Sequence, residues 1–194
     1  METLGAIVRL QIQRSSLKTG DRGHRVYDPA PLLAVDRLSV SADGVVGLSA
    51  SNDWIVDVHH RAHPESKNPD GRHGISLGFT SHYGAMSQRF GKRIEVGCAG
   101  ENIIVQTPLS RRFTLDELRP GVAILSAEGV ERVRLAVLEV AHPCRPFTGW
   151  CLGDVVESDV LKGHLQFLDD GMRGFRLAGD GSTVIAVGDR LAIR

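Results

Sequence analysis

The sequence predicts a mostly β fold, α+β by content: a barrel or sandwich of short strands with two or so peripheral helices. Three observations predict it. Short apolar runs recur along the chain between Gly, Pro and Asp-Gly turn signals. Only two segments keep helical spacing. The 194 residues, 42% apolar and 24% charged, suit one compact domain whose core needs no disulfide framework. We therefore expect a single domain over residues 1–194.

Residues 4–12, rich in Leu, Ile and Val, predict a first strand that runs into a basic, polar loop at 13–25. Pro29 and Pro31 break any regular element. Asp43-Gly44 signals a turn before Val45-Val46-Gly47-Leu48, and Trp54 to Val58 forms a second β-like run. The stretch 59–74, dense in His, Pro, Asn, Asp and Gly, reads as a long irregular loop. Thr80 or Ser81 caps a helix that extends to about Phe90, with Tyr83, Met86 and Phe90 on one face and Gly91 as the stop. Strands follow at Asn102–Val105, Val122–Leu125 and Val133–Val140, set apart by Pro108, Pro120-Gly121 and Glu128-Gly129. A second helix is expected from Val155 to Leu168. The end is β again: Phe175 to Ala178, a hairpin turn at Asp180-Gly181, then Val184 to Ile193.

Lys+Arg and Asp+Glu are both 23, so no basic face suggests nucleic acid as a partner. Arginine outnumbers lysine 19 to 4, a bias that suits bidentate grip of planar anions and that codon usage would equally produce. The apolar stretch near the N-terminus is too short for a signal-peptide core, and no run approaches membrane-spanning length. Three cysteines, an odd number, fit free thiols in a reducing cytoplasm, so we expect a cytoplasmic protein with no membrane partner.

Several motifs are weighed and set aside. Gly74-Ile75-Ser76-Leu77-Gly78 matches a nucleophile elbow, but the polar stretch before it supplies no strand, so a loop entering a helix explains it. His63-Pro64-Glu65 with Pro143-Cys144 falls short of a zinc deaminase, because six residues separate Cys144 from Cys151 where two are required. His59 and His63 have the spacing of a helical zinc pair, yet Pro64 and the preceding β run argue against a helix there. Gly91-Lys92 lacks both the spacing and the Ser or Thr of a P-loop. Asp180 and Asp189 read as turn residues. Of the five histidines between His59 and His82, His60, His63 and His73 read as solvated loop residues, while His59 and His82 stay open as ligands.

The segment Ala141-His142-Pro143-Cys144-Arg145-Pro146-Phe147 is different in kind. A cysteine leaving an apolar strand between two prolines sits on a rigid, extended backbone, and the adjacent Arg145 offers positive charge suited to an anionic sulfur. Such a thiol can ligate a soft metal or carry sulfur; a buried structural cysteine is the equal alternative.

Gly100-Glu101-Asn102-Ile103 opening a strand, followed about forty residues later by a strand ending in Pro143-Cys144, resembles the MOSC domain, named for the C-terminal domain of molybdenum cofactor sulfurase. Gly171-Met172-Arg173-Gly174-Phe175, then Gly181 and Val187-Gly188-Asp189, is similar to that family's closing strands. The resemblance covers about residue 40 to the C-terminus, with residues 1–40 as a strand and loop ahead of it. It implies a mostly β, barrel-like fold that binds a molybdopterin-type cofactor, with Cys144 as molybdenum ligand or persulfide carrier. Glu101, Asn102 and Arg173 take the positions of the family's motif residues, and His59, His82, His142 and Arg145 are further candidate cofactor contacts. Thiolate suits a metal–sulfur centre and arginine suits a phosphate tail.

Two positions depart from the family pattern. Val56-Asp57-Val58-His59 has valine where the family often has glycine, and Gly121-Val122 lacks the acid of the family's Gly-Asp turn. Pyridoxal phosphate, which belongs to fused relatives, is not expected, and a sulfur donor or redox partner would be a separate protein. The implied activity is sulfur delivery or reduction of N-hydroxylated or N-oxide compounds, by a molybdenum-dependent oxidoreductase or a sulfur transferase. A reading from another class is a non-catalytic binding module for a small anion or a partner protein.

Overall fold

A computed structural model describes residues 1–21, 23–153 and 158–193. Its strands are β1 (Glu2–Gln13), β2 (Lys18–Thr19), β3 (Val26–Tyr27), β4 (Leu32–Val35), β5 (Arg37–Ser41), β6 (Gly44–Leu48), β7 (Trp54–Val56), β8 (Ile75–Phe79), β9 (Ile103–Val105), β10 (Val122–Leu125), β11 (Glu131–Val140), β12 (Phe175–Gly179), β13 (Thr183–Ala186) and β14 (Arg190–Ile193). The helices are α1 (Thr80–Phe90), α2 (Leu115–Leu118), α3 (Arg145–Leu152) and α4 (Ser158–Leu168). No helix among the described residues is long and apolar enough to cross a membrane.

Seven strands close a barrel in the order β14-β10-β11-β12-β8-β9-β1, and β1 pairs back to β14. β1 serves three partners: residues 2–6 pair with β14, 7–10 with β9 and 10–13 with β4. Its register shifts at Thr3/Gly5 and Ile7/Arg9, and such bulges bend a strand enough to close a small barrel. Gly5 has to be glycine, since a Cβ there would lie 1.9 Å from the Gln106 carbonyl oxygen. β8 and β9 are parallel and the other barrel pairs antiparallel. A second sheet, β13-β5-β6-β7, packs beside the barrel, and β2-β3 is a short ribbon.

Alternation decides which side chains fill the barrel. Ile75, Leu77 and Phe79 of β8 point inward with Leu10, Val122, Ile124, Leu135, Phe175 and Leu191, while Ser76 and Gly78 face outward. Each such side chain, fully buried, contributes roughly 1.5–3 kcal/mol. β9 breaks the alternation because both its faces are covered: Ile103 and Val105 enter the barrel core, and Ile104 joins a second cluster outside the wall. That cluster contains Tyr27, Tyr83, Met86, Phe147 and Leu168 together with Cys98 and Cys151.

Several expectations need correction. Ile75–Phe79 is a barrel strand, not a loop entering a helix: its inward Ile, Leu and Phe bury completely, and Ser76 lies mid-strand rather than on an exposed turn. α1 has Phe79 as N-cap with no side-chain cap, because Thr80 and Ser81 bond Thr107 instead. Gly91, at φ 83°, ends the helix as expected. Val184–Ile193 is two strands: β13 pairs with β5 and β14 with β1 and β10, so Asp180-Gly181 carries the chain between sheets and is no hairpin turn. Asp189 is more than a turn residue, since its buried carboxylate accepts the Ala186 N–H and pairs with Arg132 at 2.9 Å. The helix expected from Val155 is observed from Ser158; residues 155–157 lie outside the described residues.

Two helices went unforeseen. α2 is started by a capping box, Thr114 with Glu117. α3 has Pro146 in its first turn and stops at Gly153, at φ 92°.

Candidate functional site

Cys144 is the N-cap of α3, reached as β11 leaves the barrel. Its backbone is extended, φ −132° and ψ 147°, as an N-cap residue's is. Ala141 N–H bonds the Gly174 carbonyl, tying this exit to the start of β12. The Cys144 sulfur makes no cap bond, so its chemistry is left free, and the residue is half-buried.

The guanidinium brought to that sulfur is Arg173, not the neighbouring Arg145, whose side chain is exposed. Arg173 Nη1 lies 3.7 Å from Sγ and 3.4 Å from the His142 carbonyl; Nη2 donates to the Ala99 carbonyl at 3.0 Å. Its plane stacks over Phe147 at 4.2 Å, and its Nε is buried without a partner. Arg173 is held here because Gly174 turns at φ 86°, where a Cβ would lie 2.3 Å from the Leu77 carbonyl oxygen.

Glu101 sits behind Arg173. Its carboxylate accepts the Tyr83 hydroxyl, Tyr83 accepts the Ala99 N–H at 3.2 Å, and the Ala99 carbonyl accepts Arg173. Burial pushes the Glu101 carboxyl above the usual range, with the Tyr83 bond working the other way. Tyr27 donates to the Cys98 carbonyl at 2.6 Å and meets Phe147 edge-on.

The other two thiols share this cluster but not its access. Cys98 and Cys151 are buried, and burial pushes each thiol up to about 12, so both stay protonated near neutral pH.

Asn102, the next residue, faces a different network. Its Oδ1 accepts the Ser76 N–H and hydroxyl, at 3.1 and 2.8 Å, and its Nδ2 donates to the Gln11 carbonyl and to Asp57. Asp57 also accepts the Gln13 N–H at 2.7 Å and the His59 N–H at 2.8 Å, with His59 Nδ1 at 3.1 Å. His59 is thus joined to Asn102 through Asp57. His82 stands apart: Nδ1 donates to the Gly171 carbonyl at 3.0 Å and Nε2 accepts the Phe113 N–H at 3.1 Å. Burial lowers its pKa to about 4, so the ring is neutral with both nitrogens used. His142 is exposed, and its ring lies 3.4 Å from Asp169.

The structure therefore gathers Cys144, Arg173 and Glu101, lends the His142 carbonyl, and sets Asn102 with His59 on the adjoining network. Sequence reasoning missed Tyr83 as the partner of Glu101, and missed Phe147, Tyr27 and the two buried cysteines around the sulfur. The Pro146 and Gly153 signals of α3 were the clue, since a helix there places Cys144 and Cys151 two turns apart on one face. Among the described residues, no three His, Cys, Asp or Glu side chains converge as a metal site. Two surface clefts, of about 540 and 500 Å³, open elsewhere, and Cys144 lines neither.

No family model and no curated protein matches this sequence. Solved structures do match. YuaD protein from Bacillus subtilis superposes with a TM-score of 0.53 at 14% identity, over 95% of this chain and 96% of that one. YiiM from Geobacillus stearothermophilus gives 0.51 at 14% identity, over 100% of this chain and 74% of that one. YiiM from Escherichia coli gives 0.51 at 13%, over 84% of this chain and 64% of that one, so this chain spans less than two thirds of that protein's length. Likeness at this level shows a shared fold.

Proposed function

We propose that the chain binds a molybdopterin-type cofactor through Cys144, as a MOSC-type protein, with the sulfur serving as metal ligand or sulfur carrier. The observation that supports this reading is a half-buried Cys144 sulfur, free of cap bonds, 3.7 Å from a buried guanidinium that keeps one unpartnered N–H. The donor set fits such a group. With no three protein donors converging among the described residues, a metal at Cys144 has to arrive carrying most of its own ligands, as a dithiolene-bearing pterin does.

When bound, that group supplies a redox-active metal centre or the acceptor of a transferred sulfur. The chain's residues do the rest. The N-cap backbone places Cys144 at the start of α3, Arg173 offers charge-assisted donors to anionic sulfur or phosphate, and the Glu101–Tyr83–Ala99 chain holds Arg173 in place. Sulfur carriage requires a separate donor whose persulfide passes its outer sulfur to Cys144 and leaves as a thiol. Reduction of N-hydroxylated or N-oxide compounds requires a separate electron donor. Neither calls on pyridoxal phosphate, and we place the protein in the cytoplasm, the compartment that three free thiols suit.

The test is molybdenum and pterin content, by elemental analysis and pterin fluorescence, of protein made in a host that synthesises the cofactor. Near-stoichiometric metal and pterin in the wild type, absent from Cys144→Ala, is expected. A persulfide on Cys144 without metal assigns sulfur carriage. If neither protein holds metal, pterin or persulfide, the reading fails and a non-catalytic binding module takes its place.

A further inference from the structure

Outside the Cys144 site, α1 and α4 form the walls of the cleft of about 540 Å³, lined by Arg89, Arg112, His164, Phe167 and Met172 among others. No carboxylate lines it, and neither arginine has an ion-pair partner among the described residues. Both guanidiniums are nevertheless held in position. Arg89 Nε donates to His164 Nδ1 at 3.2 Å while its plane lies 4.8 Å over the Phe167 ring. Arg112 Nη1 donates to the carbonyls of Leu109 and Arg111, at 2.8 and 3.1 Å.

These bonds leave N–H groups of two positioned guanidiniums without a protein partner among the described residues, and both side chains line one opening together with Phe167 and Met172. Fixed forks of this kind match the oxygens of a carboxylate or phosphate. Burial, then the Arg89 charge, lowers the His164 pKa, which keeps its ring neutral and able to accept from Arg89.

We propose that this cleft binds a small organic anion, its carboxylate or phosphate gripped by Arg89 and Arg112 and its planar apolar body laid against Phe167 and Met172. Cys144 does not line this cleft, although Phe167 and Met172 pack on the same cluster as it, and the proposal stands whether or not that residue carries a metal.

The experiment is calorimetric titration of the full chain with phenyl phosphate and benzoate, with inorganic phosphate for comparison, at fixed ionic strength. Phenyl phosphate or benzoate is expected to saturate one site, with inorganic phosphate binding at least about tenfold more weakly because it leaves the apolar wall unused. Arg89→Gln and Arg112→Gln should each weaken binding about tenfold or more; Arg61→Gln, at an exposed arginine that does not line the cleft, and Cys144→Ala should leave it unchanged. Circular dichroism of each variant confirms folding. No saturable binding, or equal loss in Arg61→Gln, overturns the proposal as non-specific charge. Loss in Cys144→Ala overturns it by placing the anion at the sulfur.

Discussion

Glu101 and Asn102 are adjacent, both buried, and face opposite kinds of surroundings. Every polar atom of the Asn102 side chain is used, and its partners Ser76, Gln11 and Asp57 lie on three separate stretches of chain. On the Glu101 side the bonding stops short: Arg173 keeps a bare Nε, and the sulfur it approaches is partly open. A completed buried network holds a fold together; an incomplete one next to solvent has capacity left for a ligand. Two adjacent residues thus divide the barrel's internal fastening from the half-open side around Cys144.

The largest effect expected from this contrast is in thiol reactivity. With iodoacetamide at pH 8, Cys144 should label first, and Cys98 and Cys151 should lag by about a thousandfold until the chain unfolds. Mass mapping of early adducts measures it, and early labelling at Cys151 or Cys98 would break the contrast. Next, Asn102→Ala should cost about 3–4 kcal/mol in urea unfolding, because it strands buried partners on β1 and β8. Arg173→Met, which keeps the packing on Phe147, should cost about 1–2 kcal/mol while slowing Cys144 labelling several-fold. Equal costs for the two substitutions would mean that both networks serve structure alone.

A smaller effect sharpens the same point with pH. His82 belongs to the completed kind, and its pKa is lowered to about 4 by burial, against the ordinary value near 6.5. The unfolded chain therefore takes up the proton first, so this stability is present above pH 6.5 and lost as pH falls toward 4. About 3 kcal/mol should disappear over that window, and His82→Gln should flatten the slope.

The barrel was legible where burial leaves a simple pattern. Residues 4–12, Val122–Leu125 and Val133–Val140 are apolar runs bounded by turns, and each is a barrel strand. Ile75–Phe79 was hidden because its outward positions are Ser76 and Gly78, which suggest a loop; Gly78 is small because the Glu101 side chain lies against it. β4 was hidden by Pro29 and Pro31, which suggested that no regular element follows, and β5 by its alternation of Arg37, Ser39 and Ser41 with only two apolar residues. In the site, Cys144 stood out because prolines flank it. The guanidinium that meets it comes from 29 residues further on, and no local spacing encodes that approach.

The seam between β1 and β14 joins residues 2–6 to residues 190–193. During synthesis β1 leaves the ribosome long before its partner exists, so the ring stays open until residues 190–193 have been made. A chain in which β14 is missing or not yet made presents two bare strand edges, β1 and β10, to its neighbours. Loss of β14 alone therefore exposes a template for aggregation.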